Sequence, residues 1–340
     1  MRSNEAVRAQ RLHNQHLAKP RLSPADIVAA FGAMQAQEYA MAKWALGLRT
    51  ADTTDDDIEQ LIGAGKILRT HPLRMTHHFV TPADIRWLLA LLAPIAIKRA
   101  GRRWQELGLD GKTIAKSQAV LARALEGGKH LIRAEVNALL ARAGISPAGQ
   151  RLPHLIGRAE LDGLICSGAR RGKQITIALL EERVPKTAAK SREEALAELA
   201  KRYFSTRAPA TVQDFMWWSG LGAKDAREAV ALAGSIEPPA SRRLPSQAYL
   251  LPTYDEYSVA YRDRSAIGTP PKNARGFGES TLLGPAIVVA GEIIGSWWRT
   301  FAKNRVAIEL RPWRKLTARE RSAVEKAADR YAAFVGLPRA

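Results

Sequence analysis

The chain has 340 residues, enough for two or three packed domains that fold without staples. Hydrophobic residues make up 46% and charged residues 25%, which excludes a largely disordered chain; the single cysteine, Cys166, excludes an intrachain disulfide, a cysteine zinc finger and a cysteine-ligated iron–sulfur cluster. Lys and Arg number 52 against 33 Asp and Glu, a formal net charge of +19 that suits a polyanionic partner such as nucleic acid, or serves solubility alone.

The opening stretch MRSNEAVRAQRLHNQ has no apolar segment of secretory type, so a cytoplasmic, nucleoid-associated location is expected. Helix-start signals then recur along the chain, each a hydroxyl that can accept from an orphan N–H with a carboxylate three residues on: Ser23 with Asp26, Thr81 with Asp84, Ser191 with Glu194, Thr211 with Asp214. Residues 1–100 read as a first winged-helix unit, with helices at Pro24–Ala33 and Asp55–Ala64 and a hairpin of Ile67–Arg69 and Met75–Val80 around Pro72. The apolar run from Trp87 to Ile97 is too short to span a bilayer and is interrupted by Pro94, so no membrane attachment is expected.

Residues 101–188 form the clearest unit, with helices at Lys116–Leu125, Arg133–Ala143 and Gly149–Leu161, then strands at 163–166 and 174–179 around the tip Gly168-Ala169-Arg170-Arg171-Gly172-Lys173. Residues 189–245 carry helices Ser191–Tyr203, Thr211–Ser219 and Ala223–Ala233 with the turn Gly220-Leu221-Gly222, which is helix-turn-helix spacing. The character changes after Pro238-Pro239. Residues 246–340 open with Ala248–Leu251 and a Pro/Gly/Asn-rich loop from Gly268 to Gly278. Strand candidates follow at Ala286–Val289, Glu292–Trp298 and Val306–Leu310, with a basic turn at Arg299–Arg305, and then a helix at Thr317–Val335. The fold class is α+β: tandem winged-helix units followed by a small antiparallel sheet or barrel and a terminal helix.

Four clusters carry a further signal: Met34-Gln35-Ala36-Gln37, Leu73-Arg74-Met75-Thr76-His77, Leu251–Tyr257 with Arg262-Asp263-Arg264, and Gly291–Trp297. In this order and spacing, over nearly the whole chain, the sequence resembles the AlkZ-like family of tandem winged-helix DNA glycosylases, which excise alkylated bases and unhook interstrand crosslinks. The resemblance implies a monofunctional DNA glycosylase whose two catalytic glutamines are Gln35 and Gln37, bracketing the small Ala36. A sister group carries Asp in place of the second glutamine, which this chain does not.

Two amides suit that chemistry when the leaving base is already cationic, as in an N3- or N7-alkylpurine. Departure neutralises the base, so placing a water at the sugar carbon needs little acid or base help. A carboxamide does not titrate near neutral pH, yet its oxygen accepts and its NH2 donates. Spacing of two places both side chains on one side of an extended segment, whereas on a helix they diverge by about 200°. The motif offers no amine nucleophile, which favours hydrolysis over a lyase route.

Duplex DNA is the expected partner of a monomer that uses no organic cofactor and no metal. His77, Arg170, Arg171, Lys173, Arg262, Arg264, Arg299, Lys303 and Arg305 are the DNA-contact candidates, and each arginine or lysine alone could equally be a solvated charge. His71 and His77 share strand parity and could begin a metal site, but no third ligand shows at a set spacing. Asp255 and Glu256 could supply a general base or simply shape a turn. One tryptophan of Trp217-Trp218 and of Trp297-Trp298 is expected in the core, its neighbour at the surface. A non-catalytic winged-helix regulator, or an RNA-binding factor, shares this charge and fold and differs in releasing no base.

Overall fold

The computed structural model describes residues 3–235, 243–271, 274 and 281–340. After helix α1 (Asn4–Asn14), capped by Ser3, helix α2 (Pro24–Phe31) begins where Ser23 accepts from the Asp26 N–H and ends at Gly32, whose φ of 73° a β-carbon would disfavour. Then come β1 (Met34–Gln35), α3 (Tyr39–Gly47), α4 (Asp55–Gly63), β2 (Leu68–Leu73) and β3 (Thr76–Val80), with antiparallel sheet order β1-β3-β2. Helix α4 starts on a capping box between Thr54 and Asp57. Helix α3 was not expected from the sequence because every residue from Met41 to Gly47 is buried. A helix buried on every side, including the ion-paired Lys43, shows no apolar stripe to detect.

Helix α5 (Ile85–Glu106) runs straight through Pro94. The second unit repeats the pattern of the first: α6 (Gly111–Leu125), β4 (Leu131–Ile132), α7 (Arg133–Arg142), α8 (Arg151–Leu161), β5 (Ile165–Ser167), β6 (Thr176–Leu179) and a short α9 (Leu180–Arg183), with sheet order β4-β6-β5. Helix α6 begins before Lys116 because Asp110 caps it. The third unit has α10 (Arg192–Arg207), α11 (Val212–Ser219) and α12 (Ala223–Ala233). Then come β7 (Ala248–Leu251), α13 (Glu256–Val259), β8 (Ala286–Val289), β9 (Glu292–Ala302), β10 (Arg305–Pro312) and α14 (Ala318–Phe334). The four strands make an antiparallel sheet in the order β10-β9-β8-β7. The expected turn at Arg299–Arg305 is mostly strand, and the hairpin tip shrinks to Lys303-Asn304. Pro238-Pro239, and the expected Gly268–Gly278 loop beyond Pro271 apart from Ala274, lie outside the described residues. Among the described residues no helix is long and apolar enough to cross a membrane.

Three hydrophobic cores cut across the segments read from sequence. The first joins α2–α4 to the C-terminal sheet and α14. Trp44 is its hinge pin, donating Nε1–H to the Leu250 carbonyl at 2.7 Å and packing on the Tyr331 and Phe334 rings. The second combines β2, β3 and the first half of α5 with α10–α12, and the third belongs to residues 93–179. The β1-β3-β2 sheet straddles the first two: Met34 and Phe79 face one, Ala33, Leu68 and Val80 the other. The two-residue strand β1 is thereby fixed at the meeting line of the cores.

Candidate active site

Gln35 pairs with His78 across β1 and β3, and the Ala36 N–H donates to the His77 carbonyl at 2.7 Å, so the Gln35-Ala36-Gln37 backbone is extended rather than helical. Gln35 is 9% exposed and Gln37 is exposed. The Gln35 Oε1 accepts from the Ala36 and Gln37 N–H groups at 2.9 and 3.1 Å, which fills both of its lone pairs. The Gln37 Oε1 accepts once, from the His77 N–H at 3.1 Å, and keeps one lone pair for an outside donor. Neither NH2 group has an acceptor among the described residues.

A buried ion pair holds this segment from behind. Glu256, 1% exposed, accepts the Gln35 N–H on Oε1 at 2.8 Å, and its Oε2 accepts from Arg207 at 2.7 and 3.0 Å. Arg207 also donates to the Phe31 and Ala33 carbonyls. Asp255 is equally buried and takes a bidentate pair from Arg49 at 2.7 and 2.9 Å. Both carboxylates are buried with their oxygens taken up by these donors, and Asp255 also caps α13 by accepting from the Tyr257 N–H at 2.9 Å. In front, Arg69 donates to the Ala36 and Gln37 carbonyls at 2.9 and 3.3 Å.

The rim beside Gln37 carries His71, His77 and Glu160. Glu160 comes from α8 of the second unit and contacts the His71 Nδ1, while the His77 Nε2 lies 4.0 Å from the same carboxylate oxygen. The two imidazole rings are 3.7 Å apart, and one ligand atom from each of the three residues lies within 4.8 Å of the others. The third ligand that the sequence lacked therefore exists, delivered by tertiary contact. Two imidazoles and a carboxylate are a donor set a divalent ion accepts, although here the carboxylate is already partnered by His71. Burial, then the neighbouring His71 and Arg69, pushes the His77 pKa far down; burial, then Arg74, lowers that of His78 to about 3. Both imidazoles are neutral at physiological pH.

The expected DNA contacts separate into groups. Arg170 and Arg171 are not the free tip cations read from the sequence: Arg170 pairs with Glu59 of the first unit at 3.0 Å, and Arg171 with Glu135 at 2.6 Å. Lys173 beside them is exposed and makes no ion pair among the described residues. Arg299 is packed inward, donating to the Met41 sulfur and lying over the Tyr331 ring. Lys303 and Arg305 stand at the exposed tip of the β9–β10 hairpin, near Phe301, which is 53% exposed. Arg262 is exposed, and Arg264 is half-buried over the Trp217 ring. Trp218 and Trp297 are core and Trp217 and Trp298 surface, as expected. Glu160, Arg69 and Arg99 escaped the sequence reading because each reaches its partner only through a tertiary contact, and Arg74 was seen only as part of the Leu73–His77 cluster.

The extended pair of amides sits in a chain that a family of DNA glycosylases matches over most of its length, and that match sets the class as DNA glycosylase. The sequence model of the family described as "DNA glycosylase AlkZ-like" matches residues 28–334, and the chain belongs to that family. Among its relatives is a protein of Streptomyces sahachiroi named "Interstrand DNA cross-link repair glycosylase", 24% identical and matched over 86% of each chain. The solved structure of the DNA glycosylase AlkZ from the same organism superposes with a TM-score of 0.76 at 20% identity, covering 100% of this chain and 99% of that one.

Proposed function

We propose that this glycosylase acts as a monomer on nucleoid DNA and hydrolyses the N-glycosidic bond of cationic N3- or N7-alkylpurines in duplex DNA, with Gln37 holding the attacking water and Gln35 positioning the nucleotide. The single observation that carries the assignment is the difference between the amide oxygens: that of Gln37 retains one lone pair at an exposed edge, whereas that of Gln35 is fully used and leaves its NH2 to donate. A water accepted by Gln37 is oriented for attack at the sugar carbon as the cationic base leaves as a neutral molecule; the proton the water sheds passes to bulk solvent. No group in the clamp has to change its charge, so the rate comes from orientation. The open setting of Gln37 and Glu38 leaves room for bulky adducts, and together with the name of the Streptomyces relative it extends the proposal to interstrand crosslinks.

The test is release of 7-methylguanine from methylated duplex, read by mass spectrometry. Gln35→Ala with Gln37→Ala should abolish release and leave duplex binding intact; unchanged release removes both residues from the mechanism. A wild-type protein that releases no base yet prefers one undamaged operator is instead a regulator.

A further inference from the structure

The β2–β3 hairpin turns at Arg74 and Met75, both at positive φ (51° and 61°), a conformation that costs energy for residues with a β-carbon. The turn aims Arg74 at the third unit, at Gly220, which ends α11 with φ 79°. A β-carbon on Gly220 would lie 3.0 Å from the Arg74 Cγ and 3.1 Å from the Arg99 Nη1, so two arginines from different elements converge on this bare backbone. Arg99, exposed on α5, donates to the Gly220 carbonyl at 2.8 Å. Arg264 follows α13; its Nε donates to the Ser258 carbonyl, and its guanidinium lies 5.5 Å over the ring of Trp217, 42% exposed.

Among the described residues none of these cations makes an ion pair; the opposing charges felt are Glu256 at Arg74 and Asp214 at Arg264. Among the described residues Arg74 makes no hydrogen bond or ion pair, and its Nε is buried; the Arg264 Nη2 is buried and equally without a partner. Burial, and then the nearby charges of Arg264 and Arg99, work against the charge on Arg74, with Glu256 the opposing influence. Glu256 is already held by Arg207 and the Gln35 N–H. A half-buried guanidinium with no partner is unfavourable unless a ligand supplies one.

We propose that Arg74, Arg99 and Arg264 form a phosphate site that grips one phosphodiester of the lesion-bearing strand next to the nucleotide at Gln35. Guanidinium forks match the geometry of phosphate oxygens, and the Trp217 face can carry the adjoining sugar or base. The hairpin that carries Arg74 at its tip also carries His78, the strand partner of Gln35, so one rigid element fixes the distance between the gripped phosphate and the amides. The proposal rests on duplex DNA being the substrate.

The test is binding, independent of base release: fluorescence anisotropy of a 7-methylguanine duplex with wild type, R99Q and the double variant R74Q/R264Q, over a range of salt. Thermal unfolding confirms that each variant is folded, and the exposed R99Q serves should the double variant not fold. The double variant should bind roughly 10-fold or more weakly near 0.1 M salt, with the log–log salt slope reduced by about one. Duplexes with a single methylphosphonate at successive positions near the lesion should show one position that weakens wild type and leaves the variants unaffected. Equal weakening of wild type and variants at every position, or an unchanged salt slope, overturns the site. So does inorganic phosphate that stabilises wild type without competing with DNA, which would mark a pocket for the free ion. Intact binding without base release by wild type would refute the glycosylase mechanism and leave this site standing.

Discussion

Glu256→Gln separates a framework role from a chemical one. Glu256 satisfies three donors from full burial: the Gln35 N–H at 2.8 Å and two Arg207 nitrogens at 2.7 and 3.0 Å. A carboxamide of the same shape keeps one acceptor oxygen and turns an NH2 toward the remaining donors, while Arg207, 0% exposed, is left charged and uncompensated. Removing one partner of a buried pair costs about 3–5 kcal/mol; the isosteric change should fall near the low end, about 3 kcal/mol. At about 2 °C per kcal/mol for a chain of this size, the midpoint of thermal unfolding drops by about 6 °C. Because the displaced N–H belongs to Gln35, the single-turnover rate of base release should fall too, by up to about 100-fold for a shift near 1 Å. Calorimetry with a single-turnover release assay reads both. A variant that melts with wild type yet releases no base would make Glu256 the general base and refute the framework reasoning.

Other perturbations follow from the same geometry. His77 and His78 have pKa values below the usual 6.5, so the stability they contribute is complete above about pH 6.5 and declines as pH falls toward the folded values, by about 1.4 kcal/mol per pH unit for each; denaturant midpoints at stepped pH measure this. The rate of base release, by contrast, should be flat from about pH 7 to 9, because amides do not titrate there. Chelation with EDTA should leave the rate unchanged, whereas His71→Ala should lower the unfolding midpoint by stranding Glu160, at about 1–3 kcal/mol; loss of activity with EDTA, restored by zinc, would move the metal reading of that cluster ahead. Gly220→Ala meets both a φ of 79° and the Arg74 side chain, so it should destabilise by about 1–2 kcal/mol and weaken duplex binding; an unaltered affinity would detach Gly220 from the DNA surface.

The elements legible in the sequence were those that announce themselves locally. Capping hydroxyls at Ser23, Ser191 and Thr211 fix helix starts, each accepting from the N–H three residues on, whereas Thr81 donates to the Asp84 carboxylate and α5 starts only at Ile85. Helix α3 was hidden because burial on all sides erases periodicity, and the length of α5 because Pro94, which interrupts its apolar run, is accommodated within the helix. Strand β9 outruns its apolar part because Arg299, Thr300 and Phe301 pair with β10 through backbone hydrogen bonds that side-chain character does not reveal. The three cores were illegible for a more general reason: an apolar stripe says that a face is buried, never against what, and residues 1–67 bury theirs against a sheet that begins at Ala248.

The same distinction governs the site. Gln35 and Gln37 were visible as a motif, and charge alone marked Arg170 and Arg171, whose acidic partners lie far off in sequence at Glu59 and 36 residues away at Glu135. What no local pattern could reveal is the clamp around the motif. A catalyst made of neutral amides, as proposed for Gln35 and Gln37, would have no charge with which to tolerate misplacement, so its power would depend on how rigidly residues 35–37 are held. Their three N–H groups go to Glu256, the His77 carbonyl and the Gln35 amide, and the Ala36 and Gln37 carbonyls go to Arg69. Apolar residues of similar volume would stabilise the fold at least as well as the buried Glu256–Arg207 and Asp255–Arg49 pairs. The pairs do what packing cannot, because directional bonds fix a backbone in register. That explains why buried charge gathers behind a two-residue strand that itself carries no charge.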